Sequence, residues 1–154
     1  MSIEKVRNYL KQFSKDKDIL EMEQSTATVQ LAALALDTEE ARIAKSLSFY
    51  DNDSAMIVVV AGDAKIDNKK FKQEFGFKAK MLSSEDAVKY TGHAVGGVCP
   101  FALPENVKVF LDDSMKRFKT MFPACGSSNS AIELTLEELD KLSNNKKWVD
   151  VCKI

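Results

Sequence analysis

Six consecutive apolar residues, Met56-Ile57-Val58-Val59-Val60-Ala61, constrain this chain more than any other feature. The run does not alternate and is rich in β-branched side chains, so it predicts a strand covered on both faces at the centre of a sheet. Ahead of it stand four turn formers, Asp51-Asn52-Asp53-Ser54, and ahead of those Ile43 to Tyr50, in which Ile43, Leu47 and Phe49 fall on one face at a spacing of two with Lys45 between them. The two segments read as an antiparallel hairpin. A bilayer-spanning helix needs about 20 apolar residues, roughly three times this run, so no membrane span is expected.

Short helices and strands surround the hairpin. Ile3, Val6, Leu10 and Phe13 recur at helical spacing behind Ser2, a good N-cap, and predict an amphipathic helix that stops near the Lys/Asp cluster at 15–18. Ile19 to Glu23 reads as a short strand. Thr28 caps a small helix, Val29 to Leu36, which is apolar almost all round and is therefore expected to be buried. A charged helix over Asn68 to Glu74 closes at Gly76, and Ala79 to Leu82 reads as a strand. Ser83 with Asp86 opens a helix that Gly92 ends, and Thr135 with Glu138 opens another through Leu142. Between them the pattern predicts a strand over Val107 to Leu111, a helix over Ser114 to Phe122 and a strand over Ala131 to Leu134. A last strand lies near Trp148 to Val151. Alternating strands and short helices over 154 residues, with no linker or repeat, predict one compact mixed α/β or α+β domain.

Charge narrows the function classes. With 22 Lys+Arg against 23 Asp+Glu the chain is near neutral, which argues against gripping long nucleic acid by charge alone and leaves room for contact with a short stretch. The N-terminal Ser2-Ile3-Glu4-Lys5 mixes charge signs and lacks the apolar core of a secretory signal, so a cytoplasmic location is expected. Three widely spaced cysteines, Cys99, Cys125 and Cys152, form no C-x-x-C pair and predict reduced thiols rather than disulfides or a zinc site. A single histidine excludes a histidine-rich metal site, and neither nucleotide-binding glycine fingerprint is present.

Four places are candidates for chemistry. Cys99 or Cys125 with His93 has the composition of a Cys-dependent hydrolase, against the ordinary role of a free cysteine as a small buried hydrophobe. In the irregular stretch His93 to Pro104, Gly96 and Gly97 let backbone N–H groups approach a ligand oxygen, or serve only a tight turn. Lys45 shares the apolar face of its strand with Ile43, Leu47 and Phe49, so it either snorkels at a strand end or points into a site. Cys125-Gly126-Ser127-Ser128-Asn129-Ser130 is a polar turn, either a plain loop or one wall of a pocket.

Taken together, Ala41-Arg42-Ile43-Ala44-Lys45-Ser46-Leu47, Thr91-Gly92-His93-Ala94-Val95-Gly96-Gly97-Val98-Cys99-Pro100 and Ala124-Cys125-Gly126-Ser127-Ser128-Asn129-Ser130 resemble, in order and spacing, the YbaK family of aminoacyl-tRNA deacylases. That family is related to the editing domain inserted in bacterial prolyl-tRNA synthetases. The resemblance runs from about residue 20 to residue 145 and implies a mixed, mostly antiparallel sheet with helices about it. It implies hydrolysis of the ester joining a wrong amino acid to the 3′-terminal adenosine of a tRNA, often proline tRNA, without a metal or other cofactor. The amino acids in question are small ones: Ala, Ser, Thr or Cys.

Carried over residue by residue, the resemblance makes Lys45 the residue required for activity and sets Gly96 and Gly97 against the reacting ester. Thr26, Thr28, His93, Cys99, Pro100, Gly126 and Asn129 become candidate pocket walls. Relatives with basic or histidine side chains where this chain has Ser127-Ser128-Asn129, or with Ser at Cys99, mark departures that bear on which amino acid is accepted. A chain of this size has no room for a synthetase core, so the expected partners are the acceptor end of a mischarged tRNA and a prolyl-tRNA synthetase or elongation factor that delivers it. A non-catalytic module that binds tRNA ends or a synthetase is the alternative.

Overall fold

The computed structural model describes residues 2–154. Its centre is the expected hairpin: β2 (Ile43–Asp51) pairs antiparallel with β3 (Ser54–Ala61) from Ala44↔Ala61 to Asp51↔Ser54, and Asn52 turns the corner in the left-handed region at φ 54°. Every residue of β3 from Ala55 to Ala61 is buried, as an unalternating apolar run requires.

Flanking strands complete a six-stranded mixed sheet. On one side of the hairpin lie β6 (Thr120–Pro123) and then β8 (Leu134–Thr135); on the other lie β5 (Lys108–Asp112) and then β9 (Trp148–Val149). The longest ladder is the antiparallel hairpin, whereas the β2–β6, β3–β5 and β5–β9 junctions are parallel. Two small antiparallel pairs sit outside it: β1 (Leu20–Glu21) with β7 (Ser130–Ala131), and β4 (Lys65–Ile66) with β10 (Cys152–Lys153).

Helices pack about this sheet: α1 (Ser2–Lys11), α2 (Val29–Leu36), α3 (Asn68–Phe75), α4 (Ser84–Thr91) and α5 (Leu136–Leu142). Their ends follow local chemistry. The Thr28, Ser83 and Thr135 hydroxyls cap α2, α4 and α5, with a full Thr135–Glu138 capping box at the last, and Gly76 and Gly92 end α3 and α4 at positive φ. Phe71 of α3 lies 4.9 Å from the Phe49 ring and so locks one face of β2.

Four expectations need correction. Residues 114–122 do not form a helix: a 3-10 turn (Asp113–Arg117) leads straight into β6. The Asp112 carboxylate holds the turn by accepting from the Ser114 and Val151 N–H groups, each at 2.9 Å, and Pro123 disfavours helical geometry at Phe122. The helix α2 is not buried. Only Ala32 and Ala33 are fully covered, against Ile43 and Phe122, with Val29 and Leu36 partly so, and Leu34 is 79% exposed because no other described element packs on the outer face of α2. Residues 79–82 make a single bridge, Met81 to Phe49, rather than a strand. Ser2 is the first helical residue of α1, and its hydroxyl turns to His93.

Candidate active site

A gap in the sheet edge makes the site. On its outer side β2 pairs with β6 only at Ile43 and Ala44, and further along it accepts from Leu82 at Ser48 and donates to Lys80 from Tyr50. Between these two attachments, from Lys45 to Leu47, no strand lies beside it among the described residues. A cavity of about 520 Å³ opens there, within the usual range for small-molecule sites. Its walls are β2, the Thr26 to Val29 entry into α2, Met81, Leu82 and Ser84, the Val95–Gly96 turn, and Phe122, Ala124, Ser130 and Ala131. Among the described residues Lys45 is the one charged side chain on these walls, and none of them brings a carboxylate, imidazole or thiol there.

Lys45 is half-buried and makes no ion pair among the described residues. Burial pulls its pKa below the ordinary lysine range, and the neighbouring Cys152 and Asp63 offset this only in part. Asp63 is itself committed to Arg117, whose Nη1 donates to Oδ2 at 2.9 Å. The Lys45 ammonium is therefore desolvated without a dedicated counter-ion, a state that favours an anionic or strongly polar ligand.

The glycine turn shows why two adjacent glycines are needed, for different reasons. Gly97 donates its N–H to the Ala94 carbonyl at 2.9 Å, and Gly96 sits at φ 94° behind Val95, so Ala94 to Gly97 is a type II turn with glycine at its third position. The Gly97 N–H is thereby consumed and cannot serve an oxyanion. That corrects the expectation of paired donors. The Gly96 N–H meets no protein acceptor among the described residues, and Gly96 lines the cavity. Gly97 is required by packing: a Cβ there would lie 2.9 Å from the main chain of Gly126 and Ser127.

Of the residues singled out from the sequence, Thr26, Thr28, Lys45 and Gly96 share the cavity. The others stand behind it. His93 and Cys99 are buried in the core, Pro100 borders a separate cleft with Tyr9, and a Cβ on Gly126 would meet Ser2 at 2.9 Å. Asn129 clasps the chain: its Nδ2 donates to the Met22 carbonyl at 3.0 Å and its Oδ1 accepts from Ser127. This clasp, with Thr26 donating its N–H to the Ser128 carbonyl, carries the strap that presents Thr26 to the cavity.

A Cys–His hydrolase finds no support. His93 Nε2 donates to the Phe101 carbonyl at 2.8 Å and Nδ1 accepts from Ser2, so neither ring nitrogen is free to take a thiol proton. Burial pushes the Cys99 thiol up to about 12. All three cysteines are free and buried.

The family model for an aminoacyl-tRNA editing domain matches residues 23–142, a span that holds every wall of this cavity. The chain belongs to the aminoacyl-tRNA editing domain family. That membership bears out the expectation of an aminoacyl-tRNA deacylase. Among relatives, the uncharacterized protein YwhH of Bacillus subtilis is 54% identical over 99% of this chain and 98% of its own length. EbsC of Enterococcus faecalis, described as a candidate Cys-tRNA(Pro)/Cys-tRNA(Cys) deacylase, is 26% identical over 77% of this chain and 74% of its own. A solved structure of a candidate trans-editing enzyme for prolyl-tRNA synthetase superposes with a TM-score of 0.88 at 25% identity, covering 99% of this chain and 98% of that one.

Sequence reasoning missed Ser46, Met81 and Val95 on the cavity walls. Met81 and Val95 belong to irregular segments whose placement no periodicity encodes. Ser46 sits next to Lys45 with nothing in the alternation to distinguish it from an ordinary strand serine.

Proposed function

We propose that residues 1–154 act as one free-standing editing unit that hydrolyses the ester between a small wrong amino acid, drawn from Ala, Ser, Thr and Cys, and the 3′-terminal adenosine of a tRNA, with proline tRNA as the carrier. The observation that carries this reading is the pairing, on one cavity wall set, of an unpaired, desolvated Lys45 with the unpartnered N–H of Gly96.

Ester hydrolysis needs charge stabilisation more than a strong nucleophile. Water adds to the carbonyl carbon, the carbonyl oxygen becomes an oxyanion, and collapse breaks the bond to the ribose oxygen, which takes up the proton lost by the water. A fixed N–H and an ammonium stabilise that oxyanion in a water-poor site, each such donor being worth about 10²–10³ in rate. In this reading Gly96 meets the oxyanion and Lys45 binds the carbonyl region or the terminal nucleotide. The cavity walls supply no general base, so the vicinal ribose hydroxyl of the substrate orients the water. Val95, 66% exposed at the mouth, and Met81 offer apolar surface to the terminal nucleoside.

A neutral chain holds tRNA weakly, which suits a brief encounter with the acceptor end or delivery by prolyl-tRNA synthetase or an elongation factor in the cytoplasm. No helix among the described residues is long and apolar enough to cross a membrane. The test is to incubate the protein with proline tRNA charged separately with Ala, Ser, Thr, Cys and Pro, beside Lys45→Ala. Selective release of a wrong amino acid, lost in the variant, supports the reading. Binding without release from any charged tRNA overturns it in favour of a non-catalytic adaptor.

A further inference from the structure

Two hydroxyls on the cavity walls have no partner. Thr26 Oγ1, on a residue only 8% exposed, and Ser46 Oγ are both buried and bond to nothing among the described residues. They belong to different walls: Thr26 to the strap ahead of α2, and Ser46 to the unpaired edge of β2. The Thr26 N–H is bonded to Ser128, and the neighbouring Thr28 hydroxyl caps α2. Buried polar atoms in folded proteins are rarely left without a partner, and an orphan pair on one cavity points to a group that enters it.

The chemistry of that group follows from what else is present. Each hydroxyl offers one donor and two acceptor positions, so a ligand that can both donate and accept satisfies it best. An ammonium only donates, would find no carboxylate on these walls, and would share them with Lys45. A methyl group leaves both hydroxyls unsatisfied, and a thiol bonds only weakly. A neutral aliphatic hydroxyl fits. Both oxygens are buried on residues that line the cavity, and a rotation about the Cα–Cβ bond, the ordinary freedom of a serine or threonine, is what brings them to a ligand.

Resting on the deacylase reading of this cavity, we infer that Ser46 and Thr26 are specificity-determining residues that select hydroxyl-bearing aminoacyl groups, those of serine and threonine, over alanyl and cysteinyl ones. The physical asymmetry favours such selection. A pocket discriminates poorly by one methylene, but sites that hydrogen-bond a substrate hydroxyl strongly reject the analogue lacking it, because their own polar groups are then left unpaired.

The test separates recognition from catalysis by using non-hydrolysable amides, 3′-seryl-, 3′-alanyl- and 3′-cysteinyl-amino-3′-deoxyadenosine, in binding titrations, alongside cleavage of the corresponding charged tRNAs. The expected result is binding of the seryl amide at least 10-fold tighter than the alanyl amide, with the ratio falling to within about twofold in both Ser46→Ala and the isosteric Thr26→Val. Equal binding of the three amides, binding of none, or an unchanged ratio in both variants overturns the inference, whether or not tRNA esters are cleaved. Seryl-selective binding without cleavage of any ester leaves the inference standing and overturns the deacylase reading instead.

Discussion

The Nε2 of His93 donates to the main-chain carbonyl of Phe101 at 2.8 Å, and this bond decides the role of the only histidine in the chain. It fixes the tautomer, leaves Nδ1 to accept from Ser2, and ties α1 to the loop that carries the glycine turn. Cys99 Sγ approaches the same nitrogen at 3.5 Å but finds it already donating to the carbonyl. The native protein is therefore expected to resist iodoacetamide, and Cys99→Ala is expected to keep deacylation within about threefold of wild type. The small truncation costs about 1 kcal/mol by the usual transfer of a buried group. Mass spectrometry of the alkylated native protein and a cleavage assay check both.

His93 also makes stability depend on pH with a definite sign. Burial lowers its folded pKa, with the Phe101 bond opposing in part. The unfolded imidazole takes a proton near pH 6.5 while the folded one stays neutral, so this contribution is fully present above about pH 6.5 and is lost as pH falls through the folded pKa. Because the chain has one histidine, its imidazole proton resonance can be followed alone. The expected midpoint lies below 6.5, and one at or above 6.5 refutes the burial argument.

Replacing Lys45 is expected to separate stability from activity. Lys45→Met keeps the apolar stem and removes a desolvated ammonium, so the denaturation midpoint should hold or rise, while the cleavage rate should fall about 10²-fold. The same desolvation lowers the Lys45 pKa, so the wild-type rate should decline on the alkaline side below the ordinary lysine value of 10.5. A pH–rate profile with no decline until that value contradicts the need for the charged form.

The two adjacent glycines should respond differently to alanine. At Gly97 the added Cβ meets the Gly126 and Ser127 main chain at 2.9 Å, so Gly97→Ala should destabilise by about 3 kcal/mol, at the upper end of overpacking costs. At Gly96 the nearest atom would be the Ala27 Cβ at 3.4 Å, which leaves room, but φ 94° is strained for alanine. A type I turn relieves that strain by flipping the Val95–Gly96 peptide, which reverses the direction of the Gly96 N–H. Gly96→Ala should thus cost only about 1–2 kcal/mol in stability yet at least 10-fold in rate. Thermal unfolding and single-turnover cleavage of both variants check the contrast.

Local chemistry wrote much of the fold into the sequence. The apolar run of β3 and the turn formers before it settle the central hairpin, and caps at Thr28, Ser83 and Thr135 with the stops at Gly76 and Gly92 set the helix ends. These features are legible because each rests on hydrogen bonds and periodicity within a few residues. The Lys45 and glycine blocks were legible as motifs, and the resemblance set both at one reacting ester; which of their polar groups stay free for it was not legible.

What the sequence could not decide rests on contacts between residues far apart in the chain. Residues 114–122 have a helical composition, but Asp112 bonded to Val151 and the strand position beside β2 override it. The helix α2 looks buried by composition and is exposed, because burial depends on what lies beyond it. Gly97 lost its expected role to Ala94, and His93 and Cys99 lost theirs to Phe101 and the core. Ser46 gained one because two attachments, by β6 and by residues 80–82, leave a gap between them along β2. Which polar groups are consumed by the fold and which remain for a ligand is a matter of long-range hydrogen bonding, and only the tertiary structure settles it.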